Sequence, residues 1–519
     1  MCESDLFYRT ALRYTPTGDF AQAPYDIAGF TMKTRSTRKK FSPAAITITV
    51  TVLLGLTGGC LSGPDYEAPV VTMPDAWQQK ATAGLEDGPT NLDRWWTRFG
   101  DPLLDGLIEK ARLNNLDIYT AALRLEEAMA LRGVAASGYY GSIDADAAAM
   151  AGQLSENSNF LPDGIDSKVD YYTIGANAAW EADIWGRVRR SVESAEAGLD
   201  ASLEDYRDVL VLVQSRVAGF YVEVRTTQKQ IILTENNVKL QKATLKLTRD
   251  RFDAGLSADL DVRRAELNLA RTESTLPSLY SNHERVLNAL SVLLGEMPGS
   301  LQQEIGVTDV IPKTVVPVYA GVPADLLRQR PDIRSAERLV AAQNARIGVA
   351  ASDYYPRFLL VGDLRVESTD YDNLFGGDSV SYGFGPQIRW NLFSGGRVKN
   401  QVRAEEARTA QAQARYEQTV LRAVEETETA MVSYVQELDR FAALGRAVVA
   451  AEESVIQTQT LYKSGLTDFQ NVLNMERDLF EQQNLEAASE GDIALRIVDI
   501  FRALGGGWQD VPHPLTAEL

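Results

Sequence analysis

The chain has 519 residues, 45% apolar and 24% charged, so it is no disordered polymer and is long enough for three or four ordinary domains of ~150 residues. Lys+Arg 52 against Asp+Glu 71 gives a net charge of −19, which argues against phosphate backbones or anionic headgroups as the main partner, and no nucleic acid is expected. Cys2, Cys60, His283 and His513 are too few for a disulfide framework, a zinc finger or a His-rich site, so neither a metal nor a cofactor is expected.

From Met32 the chain runs through a basic stretch, an apolar stretch and Gly58-Gly59 to Cys60, the architecture of a secretory signal. The apolar part is too short and too Thr-rich for a comfortable transmembrane helix, which needs ~20 apolar residues. A cysteine directly after small residues resembles a bacterial lipoprotein signal, in which cleavage exposes Cys60 for acylation. Thr57 occupies a position where such signals usually carry Leu, and Leu56 lies one place earlier. Leu61, rather than Asp, follows the cysteine, which by the same resemblance favours the outer membrane. Residues 1–31 have no assignable role, and the natural start is expected at Met32. Residues 1–59 therefore form a leader and signal, and residues 60–100 a lipid-anchored tail. Without residues 1–59, which hold seven Lys/Arg and four Asp/Glu, the body carries a net charge of −22.

The body repeats itself. The segment from Gly133 to Tyr140 recurs from Gly348 to Tyr355 with one difference, and the segment from Trp180 to Val188 aligns with that from Trp390 to Val398. The first unit is assigned to residues 101–295 and begins with helices. A β-hairpin at ~141–184 follows, with Tyr172, Ile174, Ala176, Ala178, Trp180 and Ala182 on one face. A long helix at ~187–251 is next, where Leu210, Val217, Val224, Ile231, Val238, Leu245 and Phe252 recur every seven residues. That period means packed helices with a left-handed supercoil, and ~65 residues span roughly 100 Å. A tip at ~252–262 contains Gly255-Leu256. Residues 296–325 are a connector. The second unit, 326–505, repeats the order with a hairpin at ~357–393, a long helix at ~397–462 and a tip at ~462–472 containing Gly465-Leu466. In its hairpin Val380, Tyr382, Phe384, Ile388, Trp390 and Leu392 alternate with polar residues and glycine. No proline lies between Pro162 and Pro277 or between Pro386 and Pro512, so both rods are permitted. Residues 506–519 form a C-terminal tail. Strands of ~10 residues with opposite faces suit a transmembrane barrel, but four cannot close one, since single-chain barrels start at ~8.

Five motifs carry a resemblance: Gly63-Pro64-Asp65-Tyr66; Trp95-Trp96 with Phe99-Gly100-Asp101-Pro102-Leu103; Trp180 to Arg187; Arg330-Pro331-Asp332-Ile333; and Trp390 to Arg397. The chain resembles the TolC-like outer membrane factors, in particular the lipoprotein branch serving resistance-nodulation-division (RND) efflux pumps. The resemblance implies a mainly α fold with β, in which a homotrimer builds a 12-stranded barrel from four strands per chain, continuous with a periplasmic α-helical barrel. It implies a non-enzymatic channel in the outer membrane that conducts small molecules outward, with a periplasmic adaptor and an inner-membrane RND transporter as partners. Gly255, Leu256, Gly465 and Leu466 would dock the adaptor. Tyr462 would bond Asp261 to hold a closed gate. Relatives carry two aspartates at a cation-binding constriction; Asn471 and Asn474 stand at those positions here, with Asp468 nearby.

Four alternatives are weighed. An outlet for ABC-driven type I protein secretion has the same fold, and heavy-metal efflux the same family, although no Met or His cluster supports it. A membrane-attached enzyme lacks a Gly-x-Ser-x-Gly elbow, a P-loop or a His-Glu-x-x-His motif. A coiled-coil spacer would not require the hairpins.

Overall fold

The computed structural model describes residues 61–78, 92–153, 155, 168–314, 321 and 323–511, together with the backbone at 85–86 and 318–319. The leader, Cys60 and His513 lie outside the described residues. In chain order the main elements are α1 (Pro102–Asn114), α2 (Leu116–Ser137), β1 (Ser142–Gln153), β2 (Lys168–Ala182), α3 (Arg187–Asp253), α4 (Asp259–Glu273) and α5 (Thr275–Leu293). They continue with α6 (Pro331–Ser352), β3 (Arg357–Ser368), β4 (Val380–Arg389), α7 (Arg397–Lys463) and α8 (Phe469–Ala503).

Two helices of 67 residues, α3 and α7, are the longest elements among the described residues. At ~1.5 Å per residue each spans about 100 Å. Both start after a glycine in the left-handed region, Gly186 (φ 75°) and Gly396 (φ 85°). Of the seven-spaced positions in α3, Leu210 through Leu245 are buried and Phe252 emerges at the tip. In α7, Val420, Thr427, Tyr434, Val448, Val455 and Tyr462 are buried, with Phe441 half-buried. Thr427 is tolerated there because its hydroxyl donates to Ala423 O at 2.8 Å.

In the upper half α2, α3, α6 and α7 pack side by side in that order. In the lower half α4 and α5 flank α3, and α8 lies against both α7 and α3. The main core sits between these levels, where Trp95 stacks on Phe501 at 5.2 Å among Leu107, Leu210, Val217 and Leu290. Asp101 caps α1 by accepting from Leu103 N and also takes the Tyr221 hydroxyl at 2.5 Å, tying the α1 start to α3. Leu85–Glu86 and Val318–Tyr319 form a small parallel pairing.

The four long strands form one antiparallel sheet in the order β1-β2-β3-β4. Alternation in the sequence runs on through Trp390 and Leu392, but β4 ends at Arg389. The Trp390 indole instead donates to Tyr354 O at 3.1 Å, turning the chain back onto the end of α6.

Candidate functional site

Directly opposed residues of antiparallel strands send their side chains to the same face. One row across the sheet is therefore Ala145, Ala176, Leu364, Tyr382, and the next is Ile143, Ala178, Gly362, Phe384. The alternate rows are Asp144, Asn177, Asp363, Gly383 and Asp146, Gly175, Arg365, Ser381. One face is apolar and bare: Phe384 is 86% and Tyr382 75% exposed. The other is hydrophilic and internally bonded, with Asn177 donating to Asp146 Oδ1 at 2.6 Å. Burial inside a water-soluble core would cover the apolar face; its free exposure needs another apolar medium. No helix among the described residues is long and apolar enough to cross a membrane.

Aromatic side chains collect where the sheet meets the helices. Tyr139 and Tyr140 follow α2, Tyr354 and Tyr355 follow α6, and Trp180, Trp185 and Trp390 lie at or just past the strand ends. Trp180 donates to Tyr139 O at 2.8 Å, and Trp185 stacks on Tyr355 at 4.5 Å. Amphipathic rings of this kind suit a boundary between hydrocarbon and water.

The tail is strapped to the same level. Ser62 N donates to Trp185 O at 3.0 Å, and Arg190, 2% exposed, donates to Ser62 O and to Asp65 Oδ1 at 2.7 Å. Gly63 (φ 81°) lies so close to α6 that a Cβ there would sit 2.5 Å from Gly348 Cα. Asn344 donates to Pro64 O, and the Tyr66 hydroxyl to Glu337. These contacts explain the Gly63-Pro64-Asp65-Tyr66 motif as a docking sequence.

At the far end, both long helices close with the same cap. Leu256 N reaches Arg251 O while Gly255 N reaches Phe252 O; Leu466 N and Gly465 N repeat this with Leu461 O and Tyr462 O. Both glycines have φ 72°, a conformation that residues with a Cβ resist. Leu256 and Leu466 are thereby pushed into solvent, at 66% and 75% exposure. The gate residues expected from the resemblance fall into different roles. Tyr462 is buried, its ring 5.3 Å from Phe469 and beneath the Arg251 guanidinium at 4.7 Å, and its hydroxyl has no partner. Asp261 pairs weakly with Arg264 at 3.9 Å instead. The expected Tyr462–Asp261 bond is thus not made: packing in the small cluster with Leu245, Val262 and Val472 turns the ring inward. Asp468 caps α8 by accepting from Asn471 N at 3.1 Å. The Asn471 amide donates to Thr467, and Asn474 accepts from Gln470.

Sequence reasoning missed Arg251, whose Nη1 donates to Lys463 O at 3.1 Å and so joins the two tips. Its adjacency to the apolar line, one place before Phe252, was the available signal. Glu476 was also missed. It is 1% exposed where α3, α7 and α8 meet, accepts from Thr244 and Gln459, and burial raises its pKa.

Residues 107–296 and 322–506 match the model of the family described as outer membrane efflux protein. The chain belongs to the outer membrane efflux protein family. Nodulation protein T of Rhizobium leguminosarum bv. trifolii is 29% identical over 463 residues, covering 88% of this efflux protein and 96% of the relative. The solvent efflux pump outer membrane protein SrpC of Pseudomonas putida is 31% identical over 464 residues, covering 87% and 96%. The solved outer-membrane channel OprN is 33% identical with a TM-score of 0.77, covering 87% of this chain and 100% of that one. The family and the fold are those of outer membrane efflux channels, not of enzymes, and the resemblance read from the motifs holds over most of the efflux protein.

Proposed function

We propose that three copies of the chain close one 12-stranded barrel in the outer membrane and that their helices continue it as a tunnel through the periplasm. The observation that carries this reading is the two-faced sheet with one open edge on β1 and one on β4. Successive strands alternate in direction, so β1 and β4 are antiparallel to each other, and β1 of one copy beside β4 of the next continues the antiparallel ladder. Closure removes both edges, as a bilayer demands. The apolar face then meets lipid and the hydrophilic face lines the water path. The internal two-unit repeat gives each copy two hairpins and two rods for this assembly. Acyl groups on Cys60 anchor the strap at the aromatic level.

The tunnel conducts small molecules such as drugs and toxic amphiphiles outward without consuming energy itself. An RND transporter in the inner membrane supplies the energy, and a periplasmic adaptor docks on Gly255-Leu256 and Gly465-Leu466. Photo-crosslinking from a probe at Leu256 or Leu466 in cells tests this, with the solubilised particle weighed in parallel. A three-copy particle that captures an adaptor and a proton-driven pump is the expected result. Capture of an ABC exporter would instead make the protein a secretion outlet, and a single-copy particle would overturn the shared barrel.

A further inference from the structure

A cavity of about 690 Å³ opens between α2, α3, α6 and α7, just beneath the sheet. Its volume is within the range of sites for drug-sized molecules. On α3 it is lined by residues such as Arg187, Ser191, Ser194 and Gly198, and on α6 by Leu339 and Arg346, with Asp353 just past its end. The strap uses other positions of these same helices: Arg190 on α3, and Glu337, Asn344 and Gly348 on α6. On α6 the strap and cavity positions therefore fall on opposite faces of the helix. Arg357, which shares the hydrophilic face of the sheet with Asp363 and Arg365, donates to Asp353 Oδ1 at 2.6 Å. One lining residue is thus bonded to the sheet's hydrophilic face, the side that lines the water path in the assembly proposed above.

For a chain of net charge −19, the charges here run the wrong way. Asp353 is shared by Arg187 at 3.0 Å and Arg357, while Glu405 is taken by Arg408 at 2.6 Å and by the amides of Gln343 and Gln401. Arg346 makes only a long contact to Ser194 Oγ at 3.4 Å, and Arg397 has no ion pair among the described residues. Among the lining residues three guanidiniums, Arg187, Arg346 and Arg397, thus face two carboxylates, Asp353 and Glu405, and Arg346 and Arg397 are left for a ligand. Leu131, Leu199 and Leu339 supply an apolar wall beside them.

We propose that this cavity is a binding station for amphiphiles carrying one anionic headgroup, a carboxylate, sulfonate or phosphate, held by Arg346 and Arg397 with its apolar body against the three leucines. Guanidinium geometry suits such oxyanions. The station rests on the conduit reading and gives it a substrate class.

The test places a thiol in the cavity through Ser191→Cys in the full-length, membrane-inserted protein, with the unsubstituted chain as background. Reaction rates are measured with a sulfonate-bearing and a trimethylammonium-bearing methanethiosulfonate. Relative to the ratio for free cysteine, the sulfonate reagent should be favoured about tenfold or more, because a local positive potential concentrates anions. Arg346→Gln with Arg397→Gln, or Arg346→Gln alone should the double variant not assemble, should collapse that preference. Cholate should protect the thiol, and dodecyltrimethylammonium should not. An unshifted ratio, a preference unaffected by losing the arginines, or a thiol inert to both reagents would overturn the station. Conductance of the same preparation in planar bilayers separates the two claims. A preparation that does not conduct fails as a conduit whatever its reagent ratio, and a conducting one with an unshifted ratio fails the station alone.

Discussion

At the tip, Arg251 does two things with one side chain: it covers the Tyr462 ring and bonds the backbone of the neighbouring helix end. A stacked cation and a charged hydrogen bond are together worth on the order of 1–2 kcal/mol. Arg251→Gln should therefore raise the open fraction of reconstituted channels several-fold in single-channel recordings. Tyr462→Phe should leave that fraction and the thermal midpoint close to wild type, since its hydroxyl has no partner to lose. Asp208, on α3 near Arg330, behaves differently. Burial, aided by the Asp332 carboxylate and opposed by Arg330, pushes its pKa up to about 6. An acid whose pKa is raised on folding contributes its full stability only below the unfolded value. That contribution is lost as pH climbs from about 4 to about 6. Asp208→Asn should thus stabilise the protein at pH 7–8, by something on the order of 2 kcal/mol, and do nothing at pH 4. Thermal unfolding followed across that range checks the sign.

Among the elements, the long helices were the most legible in sequence. Seven-residue spacing from Leu210 to Leu245 marks the buried seam of α3, and proline-free runs allow its length. Glycine at 255 and 465 marks both caps. Pairing was less legible: nothing in the spacing says that Asp101 is held by Tyr221, or that Arg251 crosses to the second tip, because such contacts join segments 120 and 212 residues apart. The recognisable motifs announced a family without announcing their tasks. Asp183 of the Trp180 to Arg187 motif accepts from Val188 N and Arg189 N at 2.9 Å, so its work is to start α3. The tail motif is a strap, and its weak point is backbone contact with α6. Gly348→Val should expel it, because even a Cβ there meets Ser62 O at 2.6 Å and the Arg190 side chain at 2.7 Å. Limited proteolysis should then cut within residues 61–66 faster than in the parent protein, while helical circular dichroism changes little.

For the whole molecule, the sheet's two faces make opposite demands. Alternation in sequence marked the strands but not their surroundings, since a half-buried soluble sheet alternates in the same way. The choice came from the bare exposure of Phe384, Tyr382 and Ile143 together with the aromatic level below them. Phe384→Arg, in the middle of β4, should cost about 2–4 kcal/mol in a bilayer and lower the yield of assembled particle recovered from membranes. Asp363→Asn, on the other face, should leave assembly intact and alter ion selectivity, measured as a reversal potential.

Helices 67 residues long are also levers. With the sheet as fulcrum, a rod of about 100 Å that tilts by about five degrees carries its far end some ~9 Å sideways, close to the width of a helix. An angular change of a few degrees would thus suffice to part or close the lower ends. Among the described residues, the Arg251 guanidinium stands where that mechanical advantage is greatest, so one hydrogen bond there resists a motion that many contacts near the fulcrum would scarcely register.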